Sequence, residues 1–229
     1  MQTIKDSKTE DSSQRRQRIA LACLAVLAVL FAVYIFRQRD GDDAVNLRHQ
    51  IAAGEVLANE TAKLLNGQGE IVVVTFDTKV TPLPYAAAQL DAFKKALKQK
   101  SHITIRAVET VGYSPGGMPL PPMLSGQKYR DLINGYSGIG AIVSFAGPPE
   151  LTGAEMRQLP GKLPLCLVYG SGSAQLDLKQ LFGKDIVQAV VVGRLTPPDP
   201  KAARPKSTED WFNRYYQLVT PATVGSPPN

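Results

Sequence analysis

The apolar and polar positions of this chain follow three patterns in succession. The first is an unbroken apolar run, Ile19 to Phe36 (IALACLAVLAVLFAVYIF), eighteen residues without a charge. At about 1.5 Å per residue a helix of that length covers roughly 27 Å, close to the ~30 Å hydrocarbon core of a bilayer. Helices on soluble cores rarely stay apolar on every face for so long. The run ends Tyr34-Ile35-Phe36-Arg37, without the small residues of a signal-peptidase site. Cys23 comes too early in it for a lipoprotein signal, and Gln17 and Arg18 stand where a twin-arginine signal would continue with apolar residues. An uncleaved transmembrane anchor is therefore expected over 19–36, after a polar tail over 1–18.

The second pattern is a stripe. Between Asp42 and Asn66, Leu47, Ile51, Leu57, Leu64 and Leu65 recur at roughly helical spacing, with Asp42 and Asp43 as start signals and Gly67 as a stop. This predicts a juxtamembrane helix within 37–68. Gly54 interrupts it and weakens it by about 1 kcal/mol relative to alanine. No heptad repeat persists, so packing on the following domain is favoured over a dimeric coil.

The third pattern fills 69–196, where short β-branched runs alternate with helical periods. Ile71–Phe76 (IVVVTF), His102–Val108, Gly140–Phe145, Pro164–Tyr169 and Val187–Val192 read as strands. Near-continuous apolar runs such as the first suit strands buried on both faces. Between them, Tyr85–Lys98 presents Ala86, Leu90, Phe93 and Leu97 on one face, and Ser125–Ile133 reads as a short helix. Thr152 and Glu155 form a capping-box pattern, as do Ser207 and Asp210. Tyr113–Met123 (YSPGGMPLPPM) is the longest irregular stretch. The alternation predicts an α/β, Rossmann-like three-layer domain: a five-stranded, mostly parallel sheet in the order 2-1-3-4-5. Over 197–229 a proline-rich linker leads to an aromatic helix (WFNRYYQLV) and a structureless tail from Pro221.

Charge sharpens the topology. The chain of 229 residues has a net charge of +6. Seven basic and three acidic side chains lie in residues 1–39, leaving nineteen against seventeen in the remainder. The basic excess therefore belongs mostly to the flanks of the span, and no nucleic-acid partner is expected. Lys5, Lys8, Arg15, Arg16 and Arg18 precede the span, whereas Arg37 and Arg39 follow it closely. This asymmetry places the N-terminus in the cytoplasm and exports the rest; in a Gram-negative cell that means an inner-membrane protein with a periplasmic domain. Cys23 and Cys166 lie too far apart in that topology to pair. Two histidines, His49 and His102, and no Cys/His cluster give no zinc ligand set. Neither a metal nor a cofactor is expected.

The run from Glu70 to Tyr169 resembles one lobe of a type I periplasmic binding protein, the sugar-binding and LacI-like family. The residues that carry the resemblance are IVVVTFDTKVTPLPYAAAQLDAFKKALK and DLINGYSGIGAIVSFAGPPE. Family members have two such lobes with ligand between them, and this chain shows one. The resemblance implies ligand loops after strands one, three and four, hence Asp77 and Tyr85, Ser144 and Phe145, Tyr169 and Ser171.

Catalytic signatures are lacking. Gly170-Ser171-Gly172-Ser173 has neither the lysine of a P-loop nor a nucleophile-elbow pattern, and reads as a strand-to-helix turn. Asp77, without a second carboxylate, reads as the start of an Asx turn and supports no acid–base mechanism. Trp211 and Tyr215 are candidate contacts for a protein partner or for self-association. The sequence thus points to a single-pass, non-enzymatic interaction or assembly module of an envelope complex, with a membrane-anchored sugar-binding or sensing protein as the alternative. A periplasmic-type reporter fused after Asn229 should be active in a Gram-negative host; a fusion active only as a cytoplasmic reporter would overturn this topology.

Overall fold

The computed structural model describes residues 47–79, 83–112, 123–170, 178–196, 198–199 and 202–224, all within one unit, Leu47–Asn229. The expected span and cytoplasmic tail lie outside the described residues. Among the described residues, no helix is long and apolar enough to cross a membrane.

Helix α1 covers 47–64. It is followed by β1 (Gln68–Phe76), α2 (Pro84–Lys100), β2 (His102–Val111), α3 (Gly126–Gly135), β3 (Ala141–Ser144), α4 (Gly153–Arg157), β4 (Leu165–Gly170), α5 (Leu178–Gly183), β5 (Ala189–Gly193), α6 (Thr208–Tyr215) and β6 (Tyr216–Val219). The strands form one sheet in the order β2-β1-β3-β4-β5-β6. Every pair from β2 to β5 is parallel. The expected winding 2-1-3-4-5 is present, but the sheet has a sixth strand that the sequence reading placed inside the last helix.

That correction has a local cause. Tyr216 leaves helical space (φ −133°, ψ 167°) and closes α6. Tyr216–Val219 then pairs antiparallel with Val190–Gly193. Tyr216 and Leu218 satisfy a helical stripe and a two-residue alternation equally well. The unpaired backbone of β5 decides between them, because its donors and acceptors need partners. The first residues of the expected tail form a turn: the N–H groups of Thr223 and Val224 bond Thr220 O at 3.0 and 2.9 Å, and 225–229 lie outside the described residues. Arg214 holds the preceding proline-rich segment by donating to the carbonyls of Asp199, Ala202 and Ala203.

Both capping boxes form. The Thr152 hydroxyl accepts from Glu155 N–H at 3.2 Å, and the Glu155 carboxylate accepts from Thr152 N–H at 2.8 Å. Ser207 and Asp210 repeat the pattern at 3.0 and 3.1 Å. Each box satisfies N–H groups that a helix start otherwise leaves unpaired. Asn66 (φ 52°) and Gly67 (φ 76°) turn the chain from α1 into β1. A bond from Gly67 N–H to Ala62 O closes that turn. Gly67 is thus the stop that the sequence indicates.

β1 is the spine. Ile71 to Val74 are fully buried and Thr75 and Phe76 nearly so. Alternate side chains enter different layers. Val72, Val74 and Phe76 join Ile142, Cys166, Val168 and Val190 against Tyr129 and Leu132 of α3 and Phe182 of α5. The opposite layer is closed by α1 and α2, where Ala52, Ala53, Leu57, Ala58, Phe93 and Leu97 are buried. Gln50 meets Gln89, Gly54 meets Gln89 and Phe93, and Asn59 meets Lys100. These pairs advance together along both helices, so α1 and α2 run parallel and α1 packs on the sheet. The buried stripe of α2 is Ala86, Gln89, Ala92, Phe93, Ala96 and Leu97. Leu90, expected in it, is half-buried at its flank.

Gly54 therefore has a packing reason. A Cβ there would lie 2.3 Å from Gln89 O, a backbone atom that cannot move aside alone. Gly54→Ala should lower stability: overpacking costs about 1–3 kcal/mol, against roughly 1 kcal/mol gained in helix propensity. Gly135→Ala, where added bulk meets open space, should leave the free energy of urea unfolding within a few tenths of a kcal/mol of wild type or raise it. Equal effects at the two sites would contradict the close approach.

Candidate functional site at the carboxyl edge of the sheet

The strand order reverses between β1 and β3. The chain steps from β1 to β2 on one side, then from β3 to β5 on the other. At such a switch point successive connections depart in opposite directions and leave a crevice at the carboxyl ends of the strands. Asp77 follows β1 at that crevice. Its N–H donates to Val111 O at 3.0 Å, tying the ends of β1 and β2 together. Its carboxylate accepts from Lys79 N–H at 3.0 Å, the expected Asx turn. Among the described residues its second carboxylate oxygen accepts no hydrogen bond, and the side chain is partly exposed.

Ser144 ends β3 and is fully buried. Its hydroxyl donates to Gly147 O at 2.6 Å and accepts from Ala146 N–H at 3.3 Å. Phe145 N–H bonds Val74 O at 2.8 Å. Gly147 completes this tight turn with φ 87°, a conformation that side chains disfavour. Ser144 thus shapes the crevice wall, and its hydroxyl is already engaged.

The other expected ligand residues divide. Tyr85, in the first turn of α2, is half-buried and meets Phe76 edge-on at 6.4 Å. Phe145 and Tyr169 turn into the α1–α2 layer. Phe145 packs edge-on against Phe93 at 5.6 Å. The Tyr169 hydroxyl bonds Gln50 Oε1 at 3.1 Å and the Tyr216 hydroxyl at 3.2 Å. Ser171 and Ser173 lie outside the described residues, as do 80–82, 113–122 and 174–177, which follow β1, β2 and β4 in the chain. The structure therefore sets Asp77 and the Ser144–Gly147 turn after the carboxyl ends of adjacent strands, and gives the side chains of Phe145 and Tyr169 to the packing beneath.

Trp211 is 6% exposed and stacks on Tyr215 at 6.0 Å. Tyr215 stacks in turn on His49 of α1 at 4.7 Å. His49 also meets Tyr216 at 5.9 Å and approaches Gln50 Nε2 at 3.0 Å. Gln89, fully buried, donates to Gln50. This polar-aromatic seam joins α1, α2, β4 and the α6–β6 hairpin, and sequence reasoning missed its His49, Gln50, Gln89 and Tyr216. One signal was available: Gln89 is a polar residue inside the apolar stripe of α2.

The chemistry of the described residues is quiet. Burial pushes the Cys166 thiol up to about 12, so it stays protonated. Burial also raises the phenol of Tyr129. Glu109 is held below the usual carboxylate range by hydrogen bonds from Lys128 and Tyr136, which fasten β2 to α3. Among the described residues, no group of three or more His, Cys, Asp and Glu could hold a metal ion.

No protein-family model matches the chain, and no curated protein does. Solved structures match its fold. AraP, an arabinose-binding protein from Geobacillus stearothermophilus, aligns at 17% identity over 76% of this chain and 62% of its own, with a TM-score of 0.52. An ABC-transporter solute-binding protein from Burkholderia graminis in complex with D-arabinose aligns at 15% identity over 79% and 62%, TM-score 0.52. The XylFII–LytSN complex aligns at 15% identity over 76% and 61%, TM-score 0.50. The described domain has the fold of one periplasmic-binding-protein-like lobe. The chain spans about three-fifths of the length of these structures.

The seam makes stability depend on pH. Burial holds the His49 imidazole below its ordinary pKa of 6.5. The unfolded chain therefore takes up a proton at His49 before the folded one does, and stability falls as pH drops through about 6.5. Wild-type protein should show a lower urea midpoint at about pH 5.5 than at 7.5, and His49→Phe, which keeps a ring on Tyr215, should show a smaller drop. Equal drops in both proteins would remove His49 from the seam's energetics.

Proposed function

We propose that this protein is a membrane-anchored, exported, non-enzymatic binding protein that recognises a small sugar-like ligand at the carboxyl edge of its sheet. The observation that carries the reading is the switch-point crevice, with Asp77 at the end of β1 beside the Ser144–Gly147 turn at the end of β3. A carboxylate there can accept from adjacent sugar hydroxyls, and charge-assisted bonds of this kind are the strong ones. Tyr85, half-buried in the first turn of α2, offers an aromatic ring on which the apolar face of a pyranose can stack, and Ser171 follows β4 in the chain. Phe145 and Tyr169 fix the strand ends that hold these groups. The fold shared with arabinose-binding proteins supports the ligand class. The uncharged apolar run at 19–36 and the basic residues before it support an inner-membrane location with the domain in the periplasm.

The assembly-module reading rests on the same anchor and on the aromatic α6. It is the weaker one, because Trp211 at 6% exposure presents little surface to a partner. Tyr215, half-buried against His49, remains its contact.

The test uses the full chain in nanodiscs. D-Arabinose, D-xylose and D-glucose should be screened by thermal shift, with an amino acid as control. A ligand at about a hundred times its Kd stabilises the native state by about 2.7 kcal/mol, a readable shift. Asp77→Ala should abolish the shift while leaving the unliganded melting temperature near that of wild type. Absence of a shift with every sugar, or an unchanged shift in Asp77→Ala, would contradict the proposal.

A further inference from the structure

β2 is an edge strand of ten residues, paired among the described residues with β1 alone, and its amino end lies opposite the crevice. The other edge, β6, has four. Along β2, His102, Thr104, Arg106, Val108 and Thr110 are exposed. An edge of this kind presents unpaired N–H and C=O groups, which proteins usually blunt. Here a register shift between Ile71 and Val72 divides the strand near Arg106. Arg106 is itself tied to Ser137 O and Glu70. The segment His102–Ile105 stays regular, in register with Gln68–Ile71.

Beside that segment lies an open groove of about 470 Å³. Leu97, Ile103 and Ile105 contribute its apolar lining, and Lys94, Lys98 and His102 its basic groups. Among the described residues, no carboxylate lies within ion-pair distance of Lys94 or Lys98. Asp91 is the sole acidic residue of α2, and Glu109, the sole one of β2, is held by Lys128. Among the described residues the groove therefore joins an apolar floor to two lysines without an acidic partner.

We infer that His102–Ile105 is a docking edge for an extended acidic segment of another polypeptide. The segment would add as a short outer strand whose main chain bonds β2 and whose acidic side chains meet Lys94 and Lys98. Strand addition explains why the backbone edge and the basic groove coincide: main-chain bonds supply affinity, and alternate side chains supply selectivity. Complementary charge adds on-rate and salt dependence. This site is separate from the sugar crevice and stands without it.

The probe is an acetylated, amidated hexapeptide alternating Glu and Val, titrated into the full chain in nanodiscs. Two control peptides carry Lys for Glu, or a central Pro that cannot donate to a ladder. The Glu-Val peptide should bind and protect the outward-facing amides of 102–105 from hydrogen exchange, and both controls should fail. Lys94→Glu/Lys98→Glu should weaken binding at least about tenfold. Both lysines are exposed, so the urea midpoint should hold, which separates lost binding from lost folding. Equal binding of the proline peptide, unchanged affinity in the double variant, or no binding of the Glu-Val peptide would overturn the inference.

Discussion

The structure depends on one constraint: Ile71–Phe76 must be buried on both faces. A strand with valine and isoleucine on both sides cannot leave either one in water, because each buried aliphatic side chain is worth about 1.5–3 kcal/mol. One face is closed by the usual helices of the winding, α3 and α5. The other needs α1 as well as α2. The two helices close it only because Gly54 lets their backbones approach. A residue that looks like a defect in an isolated helix is therefore a condition for the sheet.

The seam of His49, Gln50, Gln89, Tyr169, Tyr215 and Tyr216 follows from that placement. α1 brings polar side chains over the carboxyl half of β4, and the α6–β6 hairpin covers them. Burying these groups is tolerable because they bond or stack on one another. The seam also fixes Tyr169, and with it the end of β4 beside the crevice. Packing on one face of the sheet thus positions the edge where a ligand would be recognised.

Much of this was legible in the sequence because the signals were local. β-Branched runs marked the first five strands, and the two capping boxes sat where Thr152–Glu155 and Ser207–Asp210 place them. Gly67 stopped α1, and Asp77 made its Asx turn. What was not legible depended on distant partners. Tyr216–Val219 reads equally well as helix or strand, and only the free edge of β5 settles it. Phe145 and Tyr169 stand at strand ends, as ligand residues do, but alternation turns their side chains into the helix layer. Spacing alone could not show that the ends of β1 and β3 lie side by side, since strand order, a property of the whole sheet, makes them neighbours.

The central claim is that the switch-point crevice recognises a sugar. Hydrogen exchange on the full chain, with and without D-arabinose at saturating concentration, reads it at individual amides. The account predicts slower exchange across the Asp77–Lys79 and Phe145–Gly147 turns than their existing hydrogen bonds give in the free protein, with the β2 edge at 102–105 unchanged. Protection absent from those two turns, or confined to another part of the domain, would contradict it.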